Sequence, residues 1–110
     1  MQIISVRTIE GPNLYSYQPV IKVKFDIGKY EDISSAEIAG FNEGLLQVLP
    51  GLRNHYCSRG RQGGFVERLY EGTYLAHILE HVVLELQCMA GSEVNFGKTR
   101  GSGVRGVYDV

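Results

Sequence analysis

The sequence feature that most constrains the fold is the segment from Thr73 to Gly91 (TYLAHILEHVVLELQCMAG). Its interior contains neither proline nor glycine, and its apolar residues recur at helical spacing, which predicts a helix from Tyr74 to Ala90. We expect Thr73 to be the N-cap and Gly91 to be the C′ residue that ends the helix. The chain length of 110 residues predicts a single domain, residues 1–110, with a modest core.

The remaining elements are shorter and surround this helix. Strands are predicted at residues 2–9 and 20–27, helices at 41–49 and 65–70, and a closing hairpin at 93–99 and 104–110. Both early strands alternate apolar and polar residues, so each is expected to bury one face. The order β-β-α-α-α-β-β predicts an α+β, two-layer domain with a mainly antiparallel sheet covered by helices.

Composition excludes several classes of protein. Eleven Lys and Arg against 12 Asp and Glu give a net charge of -1, which argues against a whole-domain binder of nucleic acid. No stretch approaches the roughly 20 apolar residues of a membrane span, and the first residues lack the features of a signal peptide, so we expect a cytoplasmic protein without a membrane partner. Cys57 and Cys88 are too few for a disulfide framework and are expected to be free thiols.

The polar residues of the long helix are of unusual types. His77, Glu80, His81, Glu85 and Gln87 share one arc of the helical wheel. A face turned to solvent is the ordinary interpretation of such an arc. Solvated faces usually include Lys or Arg, however, and residues 72–97 contain neither. The imidazoles and carboxylates found here are the side chains that ligate metals and transfer protons.

Within this arc, the residues HILEH match the motif H-x-x-E-H, the inverted form of the zincin motif. His77 and His81 are one helical turn apart, the spacing at which two imidazoles converge on one zinc ion, and Glu80 would then act as the catalytic base. Short motifs also occur by chance, and two histidines satisfied by ordinary hydrogen bonds are the alternative interpretation.

A zinc site requires a third protein ligand, and sequence offers several carboxylates for it. Glu85 lies about 12 Å from His77 along the helix axis, at about 1.5 Å per residue, so it fits better as an outer group that supports the ligands. The other candidates are Glu43, Glu67, Glu71 and Glu93. Among them Glu67 is favoured, because a break at Gly72 would fold its short helix back against the long one.

The glycine-rich loop at residues 51–64 carries arginines and no acid. It lacks the Lys-Ser/Thr of a phosphate-binding P-loop and follows no strand directly, so we expect no ATP site. Arg59 and Arg61, together with Lys98 and Arg100 near the C-terminus, form a candidate rim for binding carboxylates, since guanidinium groups match two carboxylate oxygens. Ordinary solvated charges are the alternative.

Longer strings of residues resemble one known family. They are GPN at 11–13, AGFNEGLLQVLPGL at 39–52, HYCSRGRQGGFVERLYEGTYLAHILEHVVLELQCMAG at 55–91 and NFGKTRGSGVRGVYDV at 95–110. Together they are similar to the N-terminal domain of cyanophycin synthetase, and the likeness covers almost the whole chain.

The resemblance implies a role in handling a polymer. Members of the family continue into an ATP-grasp domain and a Mur-ligase-like domain, which extend a polymer with an aspartate backbone and arginine side chains, and neither ligase domain is expected in these 110 residues. The resemblance implies that the N-terminal domain holds the polymer near the ligase sites. It also implies that some members cut the polymer into primers at the H-x-x-E-H region. A hydrolase that uses zinc and a non-catalytic domain that tethers polymer or packs on the ligase domains are therefore the two hypotheses.

Overall fold

The computed structural model describes residues 1–94 and 96–110 and has the predicted order of elements. They are β1 (Gln2–Ile9), β2 (Val20–Asp26), α1 (Phe41–Val48), α2 (Gly64–Glu71), α3 (Leu75–Met89), β3 (Arg100–Gly101) and β4 (Val107–Asp109). All strand pairs of the sheet are antiparallel, in the order β1-β2-β4-β3. The α+β class and the antiparallel sheet predicted from sequence are confirmed.

One side of α3 packs against the sheet. Val23, Phe25 and Ile27 alternate along and just beyond β2 and are buried against Ala76 of α3, as the alternation predicts. The prediction that β1 also buries one face is wrong, since Val6 is 62% exposed. The reason is position in the sheet: α3 covers β2 and β4, whereas β1 is the edge strand beyond it.

A second apolar cluster joins α3 to the other helices. Its buried members are Leu46, Leu49, Leu52, Phe65, Leu69 and Ile78. After α1 the chain continues through two short 3₁₀ turns, Pro50–Asn54 and Cys57–Arg59, before α2 begins. The amide of Phe65 donates to the carbonyl oxygen of His55 at 3.2 Å, which fixes the loop to the start of α2. This loop therefore lies over a face of α3 that its polarity alone would assign to solvent.

Thr73 does not cap α3, so that prediction is wrong. The N-cap is Tyr74, without a capping side chain, and the Thr73 hydroxyl bonds the ring of His77 instead. Gly91 follows the C-cap residue Ala90 with φ of 90°, and its predicted role as the C′ residue is confirmed.

The closing hairpin is shorter than predicted. β3 contains only Arg100 and Gly101, and residues 93, 94 and 96–99 are not in a strand. Asn95, which falls in the predicted strand, lies outside the described residues. The segment before β3 packs on α3 instead, since a Cβ at Gly97 would lie 3.0 Å from Cγ of Glu80.

Two expectations from composition can be compared with the structure. Both cysteines are free, as predicted; Cys57 is half-buried and Cys88 is exposed. Across residues 1–94 and 96–110, no helix has both the length and the apolar character required to cross a membrane.

Candidate metal centre

The three histidines of the chain, His55, His77 and His81, meet between α3 and the loop that precedes α2. Cys57, from the second 3₁₀ turn of that loop, joins them. One ligand atom from each of Cys57, His77 and His81 lies within 4.8 Å of the other two. We call these three residues the ligand cluster.

His77 is held at both ring nitrogens. Its Nε2 lies 3.2 Å from Sγ of Cys57, and its Nδ1 lies 2.9 Å from Oγ1 of Thr73. A thiol at Cys57 donates to Nε2, in which case Nδ1 carries the ring proton and donates to the threonine hydroxyl. The ring therefore presents its basic nitrogen to the cysteine sulfur.

His81 is the most buried of the cluster, with 5% of its surface exposed. Its ring stacks on Phe65 with a centroid distance of 4.0 Å and an interplanar angle of 25°. Its Nδ1 lies 2.9 Å from Nδ1 of His55, and Nε2 of His55 lies 2.9 Å from Oε2 of Glu85. Hydrogen bonds thus connect the Glu85 carboxylate to the His55 ring, and the His55 ring to the His81 ring.

Burial keeps the two helical histidines neutral. Loss of solvent lowers the pKa of His77 below its ordinary value, and it lowers the pKa of His81 to about 3, with His77 and His55 as further causes. Neutral imidazole is the form that ligates metal ions. At neutral pH the cluster therefore offers unprotonated ring nitrogens without first having to lose protons.

Glu80 lines the same open groove as the ligand cluster. The hydroxyl of Thr99 lies 2.6 Å from its Oε2 and donates to it. Because Thr99 precedes β3 and Gly97 permits close contact with α3, the C-terminal segment holds the Glu80 carboxylate in place.

The loop conformation that places Cys57 is under constraint. Cys57 has φ of 57°, in the left-handed region that residues other than glycine rarely occupy. Gly64 packs directly against Tyr56, the residue before Cys57, since a Cβ at Gly64 would lie 2.0 Å from the carbonyl oxygen of Tyr56. The start of α2 thus holds the loop in the turn that brings the thiol over α3.

The donor set fits zinc. A thiolate and two imidazoles are typical zinc ligands, and three protein ligands with a further position for water or substrate are the arrangement of catalytic sites. Groups that hydrogen-bond the non-ligating nitrogen of each histidine are also present, as expected around bound metals. Cys57, His77 and His81 are the residues that would hold the ion.

Comparison with known proteins places the chain in a family. A family model described as the cyanophycin synthase-like N-terminal domain matches residues 22–110. The chain belongs to this family. It is 46% identical over 112 residues to cyanophycin synthetases of Geminocystis herdmanii and Crocosphaera subtropica, and 44% identical to that of Synechocystis sp.. Each match covers 100% of this chain but only 13% of the relative, so the chain spans about an eighth of the length of these synthetases.

Of the site residues predicted from sequence, the structure brings His77, His81 and Glu80 to one groove of this cyanophycin synthase-like domain. Glu85 reaches the cluster indirectly, through His55. Glu67 is not brought there, because its carboxylate forms an ion pair with Arg61 at 2.8 Å. Cys57, and not a carboxylate, is the third member of the ligand cluster.

The four cations predicted to bind polymer fall into two groups. Arg59 and Arg61 form ion pairs with the α2 acids Glu71 and Glu67, respectively. Lys98 and Arg100 are exposed on either side of Thr99, and the guanidinium of Arg100 lies 5.4 Å from the centre of the Tyr15 ring. The second group is therefore next to the residue that holds Glu80.

Sequence reasoning missed Cys57 and His55. Both lie in the loop that was interpreted through its arginines and glycines. The available signal was residue type, because thiolate and imidazole are the common zinc ligands and this loop holds the only histidine outside α3. The number of residues between this loop and α3 did not indicate the contact, because the 3₁₀ turns determine how closely the loop approaches α3.

Proposed function

We propose that this domain binds cyanophycin, the polymer after which the related synthetases are named, and that it hydrolyses this polymer at a zinc site. The observation that carries the proposal is the convergence of Cys57, His77 and His81 within 4.8 Å, with Glu80 in the same groove. Cleavage would supply shorter chains as primers for polymer synthesis.

The roles of the residues follow from their positions. Cys57, His77 and His81 would hold the ion, and zinc supplies a Lewis acid that polarises a carbonyl and lowers the pKa of bound water. Glu80 would serve as the general base, held by the hydroxyl of Thr99 at 2.6 Å. The open groove gives an extended chain access to these groups.

Binding of the polymer would use the exposed cations beside the groove. Lys98 and Arg100 flank Thr99, so a polymer carboxylate would be held by the same C-terminal segment that holds Glu80. Arg59 and Arg61 would contribute after exchanging their acidic partners for the polymer, a small cost because exposed ion pairs are weak.

Zinc titration of chelator-treated protein, followed by incubation with purified cyanophycin, tests the proposal. We expect zinc to bind the wild type, Cys57→Ala and His77→Ala to lose that binding, and Glu80→Gln to bind zinc but release no soluble product. Equal product from Glu80→Gln and the wild type would contradict the catalytic role of Glu80. The matched control is Glu67→Gln, which should keep both properties; loss of zinc binding in this variant would make Glu67 the third ligand.

A tethering domain without catalysis is the second candidate. The position of Lys98 and Arg100, exposed beside the groove, favours polymer binding whether or not the polymer is cut. Retention of cyanophycin by the wild type without product at any zinc concentration would support tethering. In either case, the double variant Lys98→Ala, Arg100→Ala should weaken retention of the polymer.

A further inference from the structure

We propose that Glu85 and His55 form a positioning relay that fixes the ring of His81 in one tautomer, with Nε2 free to bind metal. The inference rests on the proposed zinc site and adds to it two residues that would not touch the metal. The contacts that define the relay are His81 Nδ1 to His55 Nδ1 and His55 Nε2 to Glu85 Oε2, each 2.9 Å.

Glu85 sets the direction in which the hydrogen bonds of the relay are donated. An ionised carboxylate only accepts hydrogen bonds, so Nε2 of His55 must carry the proton that it donates to Glu85. A neutral His55 then has a bare Nδ1, which can only accept. Nδ1 of His81 must donate to it, and this leaves Nε2 of His81 bare. With His55 neutral, the Glu85 carboxylate thus sets the tautomers of both rings.

Burial protects the two hydrogen bonds of the relay from water. His81 is 5% exposed, and the side chains of His55 and Glu85 are 16% and 14% exposed, so water has little access to replace either bond. Phe65 stacks on the ring of His81 and restricts its rotation. A wrong tautomer would place two N–H groups or two lone pairs against each other in a poorly hydrated space.

The backbone is shaped to admit the carboxylate. A Cβ at Gly51 would lie 1.7 Å from Oε1 of Glu85, so the 3₁₀ turn that begins at Pro50 can approach α3 only with glycine at this position. The same turn ends at Asn54, and the amide of the next residue, His55, donates to the carbonyl oxygen of Leu52 at 3.2 Å. One short turn therefore provides both the space for Glu85 and the imidazole that Glu85 orients.

Thr73 gives His77 a simpler version of the same support. Its hydroxyl contacts Nδ1 of His77 at 2.9 Å, but a hydroxyl both donates and accepts, so it does not impose a direction. Thr73→Val is therefore a matched control, since it removes a group that supports the other histidine and leaves the relay intact.

Nitrogen-15 NMR of the imidazoles in the metal-free protein tests the relay, because it reports which ring nitrogen carries the proton. We expect wild-type His81 to be protonated at Nδ1 and wild-type His55 at Nε2. Glu85→Gln supplies an amide that can donate to His55 and reverse the relay, so a population of His81 protonated at Nε2 should appear. Thr73→Val should leave His81 unchanged.

Cobalt(II) titration gives the second measurement. Loss of a group that orients a metal ligand typically weakens binding about 10- to 100-fold, and we expect a loss in this range for Glu85→Gln. Gly51→Ala should weaken binding likewise, since its methyl group displaces the carboxylate without altering a hydrogen-bonding group. His55→Gln, which can still accept from His81, should bind cobalt more tightly than His55→Phe.

The outcomes separate the relay from the hydrolase. Wild-type His81 protonated at Nε2, or an unchanged tautomer and unchanged cobalt affinity in both Glu85→Gln and Gly51→Ala, would overturn the relay even if polymer is cleaved. Absence of cleavage alongside the expected tautomers would overturn the hydrolase and support the relay.

Discussion

The ligand cluster and the arginine ion pairs of the neighbouring surface use polar residues in opposite ways. In the cluster, Cys57, His77 and His81 are half-buried or buried, and hydrogen bonds to Thr73 and His55 hold the rings of His77 and His81, respectively. On the surface, the pairs of Arg59 with Glu71, Arg61 with Glu67, and Arg105 with Glu31 and Asp32 have at least one well-exposed member.

Burial decides which charged groups and rings the fold holds in a single arrangement. A buried ring whose partner can only accept has one favourable arrangement, because water has little access to replace a lost bond. An exposed ion pair contributes little, since water and salt compete with it. We therefore expect substitutions in the cluster to have large effects and substitutions of the surface pairs to have small ones.

The largest effect is expected from Phe65→Ala. Phe65 is fully buried in the helical cluster and stacks on His81, so its removal leaves a cavity and should lower the free energy of unfolding by about 3–5 kcal/mol. Urea denaturation measures this loss. The freed ring of His81 should also bind cobalt(II) more weakly in the folded variant.

Leu69→Ala is the control for Phe65→Ala. Leu69 is equally buried in the same apolar cluster, and its truncation should cost about 2–5 kcal/mol. Cobalt affinity in its folded state should stay at the wild-type value. Equal loss of affinity in both variants would mean that general loosening of the core, and not the stacking on His81, controls the ligand.

A smaller effect is expected from the surface pair of Arg61 with Glu67. The side chain of Arg61 is 66% exposed, so a double-mutant cycle with Arg61→Ala and Glu67→Gln should give a coupling energy close to zero. The coupling should decrease further at about 1 M salt. A coupling well above this value, independent of salt, would place the pair with the buried groups.

The smallest effect is a dependence of stability on acid pH through Glu31. The hydroxyl of Tyr108, the amide of Gly106 and the guanidinium of Arg105 hold the pKa of this carboxyl below its ordinary value of 4.5. Its contribution to stability is complete above pH 4.5. As the pH falls below that value, the unfolded chain binds a proton first, so the contribution is lost until the folded carboxyl is also protonated.

Urea midpoints of the wild type and Glu31→Gln test this dependence. The wild type should be the more stable at neutral pH, and the difference between the two should narrow as the pH falls from 4.5. A constant difference at all pH values would show that the carboxylate charge does not contribute.

The sequence alone was sufficient for the order of elements, for α3 and for the pair of histidines on it. These features depend on local periodicity, and a spacing of i to i+4 fixes the geometry within one helix. Thr73 shows the limit of such reasoning: a cap and a partner for the His77 ring use the same hydroxyl, and only the packing decides between them.

The residues that reach the cluster from the loop could not be located in this way. Cys57 and His55 are 20 and 26 residues from their partners, His77 and His81, respectively. Their approach depends on two 3₁₀ turns and on glycines that allow close contact. The wrong prediction for β1 has a similar cause: alternation shows which residues share a side of a strand, but not whether a helix covers that side.

At position 57 the left-handed backbone favours glycine for stability, whereas binding a metal ion would require the cysteine side chain. Glycine adopts this conformation without the cost of about 1–2 kcal/mol that an L side chain bears. Laboratory evolution of this domain for thermal stability, carried out without metal, would therefore favour glycine at position 57 and discard the thiol. The contact of the Cys57 sulfur with Nε2 of His77 is one that glycine at this strained position could not make.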